Sequence, residues 1–199
     1  MRRWTLAALA LAMAGAAAPL SAQMGGSEGE TFLKAIEDGD HGKAVSLVEQ
    51  PGSRIVNYRG YDGDTALHIV TRNRELDWVS YLLRHGADSG IKDAKGDTAM
   101  IIAARIGFDD AVDYMLRLGG DPNATNSRGE TALMVAVQQR RPQIVELLMK
   151  AGADPDKTDH AAGYSARDYA KRDTRNRELL RLIETVKSTK KKVAGPSLN

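Results

Sequence analysis

The chain predicts an all-α solenoid of about five helix–turn–helix repeats, three regular and two capping. Three observations predict it. The hexapeptide Gly63-Asp64-Thr65-Ala66-Leu67-His68 returns as Gly96-Asp97-Thr98-Ala99-Met100-Ile101 and again as Gly129-Glu130-Thr131-Ala132-Leu133-Met134, at a fixed 33-residue step. A second marker keeps the same step: Gly86-Ala87-Asp88, Gly119-Gly120-Asp121 and Gly152-Ala153-Asp154, each 21 residues beyond its Thr. A fixed period in this range marks stacked supersecondary units. Aromatic residues make up only 5% of the chain, so the core must be aliphatic, which suits thin and closely spaced helix layers.

The N-terminus stands outside that pattern. Met1-Arg2-Arg3 is positive, Trp4 to Ala18 is apolar, Ala-rich and uncharged, and Pro19-Leu20-Ser21-Ala22 precedes a polar, Gly-rich run from Gln23 to Gly29. This order reads as a secretory signal peptide over residues 1–22, cleaved after Ala22, followed by a flexible linker over 23–29. The apolar run is short of the roughly 20 strongly apolar residues a membrane span needs. The mature chain is expected to have no membrane span. The expected address is the periplasm, with full secretion as the alternative. There is no Cys, so neither an acylated lipoprotein anchor nor a disulfide is available.

The repeat domain is expected over 30–186, with units at about 30–61, 62–94, 95–127, 128–160 and 161–186. In the second unit Thr65 is placed to cap a helix whose apolar face is Leu67, Ile69 and Val70. Asn73-Arg74 breaks it. Leu76, Val79, Leu82 and Leu83 give the spacing of a second helix with one buried face, and Gly86 stops it where a left-handed residue is needed. The third unit repeats this with Thr98, then Met100, Ile102, Ala103 and Ala104, a break at Gly107, then Ala111, Val112, Met115 and Leu116, and a stop at Gly119. The fourth has Thr131, then Leu133, Val135, Ala136 and Val137, a break at Arg140-Arg141-Pro142, then Ile144, Val145, Leu148 and Met149, and a stop at Gly152. Pro142 falls at a first helical turn, where its missing N–H costs nothing.

The first and last units are divergent caps. Phe32, Leu33, Ala35 and Ile36, then Ala44, Leu47 and Val48, supply the first, with Glu30 in the capping position and Pro51 where Gly is usual. Gly163-Tyr164-Ser165-Ala166 restarts the motif one residue late, and Leu179, Leu182 and Ile183 face its second helix. Val186 replaces the stop Gly, which leaves that helix free to run toward the Lys-rich tail at 187–199, read as disordered.

This unit resembles the ankyrin repeat. The likeness is carried by Thr65-Ala66-Leu67-His68, the Ala103-Ala104 pair and the Gly-Ala-Asp stops at Gly86 and Gly152, and it covers about residues 30–186. Ala66, Ala99 and Ala132 stand where the family usually has Pro, and only the second unit has the family's His after Leu. The resemblance implies that His68 is a structural hydrogen-bonding group.

No catalytic set is apparent. There is no thiol, phosphate loop or HExxH motif, and His41, His68, His85 and His160 occupy unrelated repeat positions. No cofactor and no metal is expected. Asp88, Asp121 and Asp154 recur at one place, where turn hydrogen bonding accounts for them. Asp109, Asp110 and Asp113 sit at a helix start, where the dipole favours them. The precursor has net charge +2, but residues 23–186 hold 22 basic and 26 acidic residues, net −4, which argues against nucleic-acid binding.

The family resemblance implies that a protein partner meets the extended-turn tips and the inner face of the first helices. By position these are Arg59, Tyr61, Asp64, Arg72 and Asn73; Lys92, Lys95, Asp97, Arg105 and Ile106; and Ser127, Arg128, Glu130, Gln138 and Gln139. A basic stripe (Arg59, Arg72, Lys92, Lys95, Arg105, Arg128) is expected beside an acidic row (Asp64, Asp97, Glu130). Tyr61, Ile106 and Tyr164 are the exposed apolar candidates, types that anchor interfaces. The function expected is a monomeric, non-enzymatic adaptor for an envelope or periplasmic protein. The alternative is a protective or assembly factor for a periplasmic enzyme, for example in oxidative-stress defence.

Overall fold

A computed structural model describes residues 21–187, with side chains from Glu28 onward. Most of the expected leader and of the Lys-rich tail lie outside the described residues. Among the described residues ten α-helices follow one another: α1 Ser21–Glu37, α2 His41–Val48, α3 Ala66–Arg72, α4 Leu76–Arg84, α5 Ala99–Ile106, α6 Asp109–Arg117, α7 Ala132–Gln138, α8 Pro142–Lys150, α9 Ala166–Arg172 and α10 Arg177–Thr185. A short 3₁₀ turn, Ile55–Asn57, joins α2 to the second repeat.

The helix starts are local chemistry. Thr98 Oγ1 accepts the Ile101 N–H at 3.3 Å, and Thr131 Oγ1 accepts that of Met134 at 3.2 Å. Ser165 and Asp168 cap reciprocally: Ser165 Oγ accepts the Asp168 N–H at 3.2 Å, and Asp168 Oδ2 accepts the Ser165 N–H at 3.1 Å. At the second repeat His68 takes the reciprocal part, its Nδ1 accepting the Thr65 N–H at 3.1 Å. The stops are Gly86, Gly119 and Gly152, at φ 87°, 91° and 88°. A side chain there would strain the backbone. The aspartates two residues on, Asp88, Asp121 and Asp154, each accept the N–H two residues ahead at 2.8–2.9 Å.

Packing then builds two rows. Helices α1, α3, α5, α7 and α9 stack side by side, and α4, α6, α8 and α10 form a second row against them. The inner row is thin because small residues face its neighbours: Ala66, Ala99, Ala103, Ala132, Ala136, Ala166 and Ala170 are buried. Leu67, Ile101, Leu133 and Met134, with Val79, Leu82, Met115, Ile144 and Leu148 from the outer row, fill the space between. One continuous core results, as nearest-neighbour stacking requires.

Three expectations are revised at the ends. The segment 23–29 is not a linker, because α1 runs through it from Ser21. Its Gly29 answers to packing, since a Cβ there would meet the Tyr58 ring at 2.3 Å. Glu30 is therefore not a cap; it lies within the helix and accepts a 2.8 Å hydrogen bond from the Tyr58 hydroxyl. At the far end α10 stops at Thr185. Val186 is extended (φ −72°, ψ 120°) and packs against the core, so the helix does not run on.

Junctions between neighbouring repeats carry side-chain bridges. Asn57 donates to Gly86 O at 2.9 Å and accepts from the Asp88 N–H at 2.8 Å. Asn123 does the same with Gly152 O (3.3 Å) and the Asp154 N–H (2.7 Å). Halfway between them in the 33-residue step stands Gly90, which has no side chain to bridge the middle junction. Gly90→Asn should therefore stabilise the stack, by about 1 kcal/mol for the added hydrogen bonding. Thermal melts read this as a rise in Tm of roughly 2–4 °C for a domain of this size. Asn57→Ala should lower it by a comparable amount, and an unchanged melt for Gly90→Asn would refute the bridge.

Candidate functional site

The turn between successive repeats leaves the outer row, extends, and returns through a tight tip to the next inner helix. Antiparallel bridges close it between Lys92 and Thr98, Thr125 and Thr131, and Thr158 and Ser165. Each tip rests on the next. The Ala94 N–H donates to Asp62 O at 3.1 Å, and the His160 N–H to Arg128 O at 2.8 Å. Gly63, Gly96 and Gly129 make this approach possible. All have φ near 77°, and a Cβ would meet Ala94 N at 2.7 Å, Ser127 Oγ at 1.9 Å and the His160 ring at 2.6 Å. The tips therefore form one stacked, rigid rim.

Beneath the rim runs a polar ladder absent from the sequence-based site. Asp93, Asn126 and Asp159 share one repeat position and are all buried. Asp93 Oδ1 accepts the N–H groups of Lys95 (2.8 Å) and Asp97 (2.9 Å). Asn126 Oδ1 accepts those of Arg128 (2.9 Å) and Glu130 (3.0 Å). Asp159 Oδ1 accepts those of Ala161, Ala162 and Gly163 at 2.7–3.1 Å, while its Oδ2 takes the Tyr169 hydroxyl at 2.5 Å. These groups shape the tips. The signal for them was their own 33-residue recurrence, obscured by the change from Asp to Asn and back.

The acidic row lies inside rather than on the face. Asp64 and Asp97 are 8% and 3% exposed, and Glu130 is half-buried. Arg72 binds Asp64 and lies 3.7 Å from Asp93. Arg105 grips Asp97 with both terminal nitrogens, at 2.5 and 3.1 Å. Arg128 pairs with Glu130 at 2.7 Å. Arg59 is held by backbone, donating to Gly63 O (3.2 Å) and Lys92 O (2.8 Å). Lys92 and Lys95 are exposed. Tyr61 is fully exposed, whereas Ile106 packs partly on the core. Tyr164 is half-buried, with its ring edge-on to Tyr169 and under the Arg172 guanidinium at 4.2 Å. Asn73 is exposed and donates to Glu75, Gln138 is exposed beside Tyr169, and Ser127 and Gln139 are exposed.

His68 has a structural setting. It is buried, accepts at Nδ1 and donates from Nε2 to Asp97 O at 3.2 Å, so it carries its proton on Nε2. Burial pushes its pKa down and keeps it neutral. Ile101 and Met134 replace it in the next two repeats as fully buried apolar side chains. Among the described residues no group of three or more His, Asp or Glu is arranged to hold a metal.

Asp64 and Asp97, equivalent in sequence, titrate in opposite directions. Burial works against both charges. For Asp97 the hydrogen bonds from Arg105 and from Asn126 (2.9 Å) prevail and hold the carboxyl below its ordinary value. For Asp64 burial prevails over Arg72 and raises the pKa to about 6. The difference lies one repeat position away. Asn126 donates an amide N–H to Asp97, but its counterpart beside Asp64 is Asp93, whose carboxyl group carries no amide N–H. Asp64 Oδ1 is left buried without a partner.

The sign of the linkage follows. A carboxyl with a raised native pKa binds a proton on folding between its unfolded value of 3.8 and about 6, so its contribution improves as pH falls through that window. His68, neutral in the fold, works the other way below its unfolded value of 6.5. Asp64→Asn should therefore lose stability on acidification from pH 7 to 4 more steeply than the parent chain, by on the order of 2 kcal/mol. Asp93→Asn should satisfy Oδ1, lower the Asp64 pKa and stabilise the fold at pH 7 by about 1 kcal/mol. Urea midpoints across pH measure both, and parallel profiles for parent and Asp64→Asn would refute the assignment.

No curated protein matches the chain. The family model for ankyrin repeats (3 copies) matches it twice, over residues 11–126 and 79–159, which together span most of the molecule. With two helix rows, glycine-stacked turn tips and that match in hand, the chain belongs to the ankyrin-repeat family.

Proposed function

We propose that this chain is a non-enzymatic adaptor that holds an envelope or periplasmic protein against its rim and inner face. Ankyrin repeats are protein–protein interaction modules, and the family typically works by binding rather than catalysis. One observation carries the placement of the surface: Tyr61 stands fully exposed on a rigid tip. A large aromatic that stands fully in water has much apolar area to bury on docking, and residues of this type anchor interfaces. Ser127 on a later tip, and Asn73 and Gln139 at the C-terminal ends of α3 and α7, add exposed polar groups.

Export is supported by the charged and apolar pattern of residues 1–22. Among the described residues no helix is long and apolar enough to cross a membrane.

Arg72 and Arg105 are unsuitable probes of this surface, because each neutralises a buried carboxylate and its reversal would unfold the rim. Tyr61→Ala with Gln139→Arg touches exposed groups only and should leave stability within about 0.5 kcal/mol. Chain purified from periplasm should begin at Gln23 and recover a stoichiometric partner, whose binding the double variant weakens at least about tenfold, as loss of an aromatic anchor does. A cytoplasmic chain that keeps Met1 would sink the address, and undiminished binding by the variant would sink the surface.

A further inference from the structure

We propose that the turn-tip rim takes an acidic, extended segment of the protein partner, an inference that rests on the adaptor reading above. It comes from how the fold sorts charge. The chain between residues 23 and 186 carries an excess of acid, net −4, yet the rim shows the opposite sign. Asp64, Asp93, Asp97 and Asp159 all lie within the tips, and all are buried under them. Their oxygens are turned inward, and all but Asp64 Oδ1 face backbone N–H groups, Arg72, Arg105, Asn126 or Tyr169. The bases of the same tips point outward.

Lys92 and Lys95 are the cations best placed to act. Both are exposed, and their nearest acids, Asp93 and Asp97, are already engaged from below. Arg59 adds a guanidinium that only backbone carbonyls contact. Lys157, at the base of the tip two repeats further along, is exposed and reaches only Asn123 O. Asp62 is exposed on its tip, and Asp156, exposed beside Lys157, is taken up by Arg167 at 2.6 Å. An exposed cation beside a satisfied buried acid offers its remaining field to solvent or to a ligand.

A polypeptide fits this surface better than a polyphosphate. Ser127 on the adjoining tip offers a hydroxyl, and Asn73 and Gln139 at the C-terminal ends of α3 and α7 offer exposed amides, groups that match a peptide main chain. Tyr61 at the end of the row offers an apolar contact that a phosphate backbone would not use. The rest of the body is acidic and would repel a polyanion long enough to leave the rim.

The test uses the full mature chain and a fluorescein-labelled Glu/Leu dodecapeptide, read by anisotropy. Binding should weaken about tenfold in Lys92→Glu with Lys95→Glu and weaken with added salt, as rim charges do. It should not change in Lys43→Glu with Arg84→Glu, which alters net charge equally away from the rim. Melting curves for both pairs should match the parent. No binding of the peptide, or equal loss in both pairs, would overturn the proposal. So would phosphatidylglycerol vesicles or a single-stranded oligonucleotide binding as tightly through the same two lysines. If a captured partner is lost with Tyr61→Ala and Gln139→Arg but kept by the lysine pair, the adaptor reading stands and the acidic segment falls.

Discussion

Everything in this stack depends on how closely the inner helices approach one another. That distance is set by alanine. Ala66, Ala99, Ala132 and Ala166 begin the inner helices α3, α5, α7 and α9, and Ala103, Ala136 and Ala170 continue the same thin layer. A larger side chain at any of them would push two repeats apart and force off-rotamer packing. The separation would then appear in the tips, where Gly96 and Ser127 or Gly129 and His160 already meet with no room for a Cβ. Ladder bonds such as Asn126 to Asp97 and His68 to Asp97 span the same gap. Core packing and rim geometry are thus one constraint at two depths.

Arg74 and Arg140 show what the stack gains from a strained residue. Both sit at positive φ, 62° and 53°, where the third repeat has Gly107 at 68°. Arg74 donates to Ile106 O and Gly107 O at 3.0 and 3.2 Å and lies over the Phe108 ring at 4.9 Å. Arg140 forks onto Asp173 at 2.6 and 3.1 Å. In each case the guanidinium fastens one repeat to the next, and the bonds across the junction offset the backbone strain. Gly107 lacks that reach, and the Arg141 guanidinium lies against it instead.

Much of the fold was legible because repeats state their logic three times. Thr98 and Thr131 cap, Gly86, Gly119 and Gly152 stop, and Pro142 opens its helix, each for a reason visible in one residue. The rim was less legible. Sequence gives the sign of Asp64, Asp97 and Arg72 but not which way they face, and a charged residue in a turn is ordinarily solvated. Here backbone N–H groups of the tip turned the acids inward. The N-terminal cap misled for a related reason. Gly25, Gly26 and Gly29 read as flexibility, while Gly29 is the imprint of the Tyr58 ring. Tyr61 was legible as an exposed aromatic; Ile106 and Tyr164 were not, because Ile106 packs on the core and Tyr169 and Arg172 of its own repeat half-cover Tyr164.

The parallel inner row also imposes a metre. Packed helices stand about 8–10 Å apart, and an extended chain advances roughly 3.3 Å per residue. A strand laid across the rim would therefore meet equivalent chemistry at about every third residue. Duplex DNA offers a charge roughly every 1.7 Å, far too dense for that beat. Recognition along such a row reads spacing before it reads charge, and the 33-residue period of this gene product becomes, on its surface, a short period in whatever it holds.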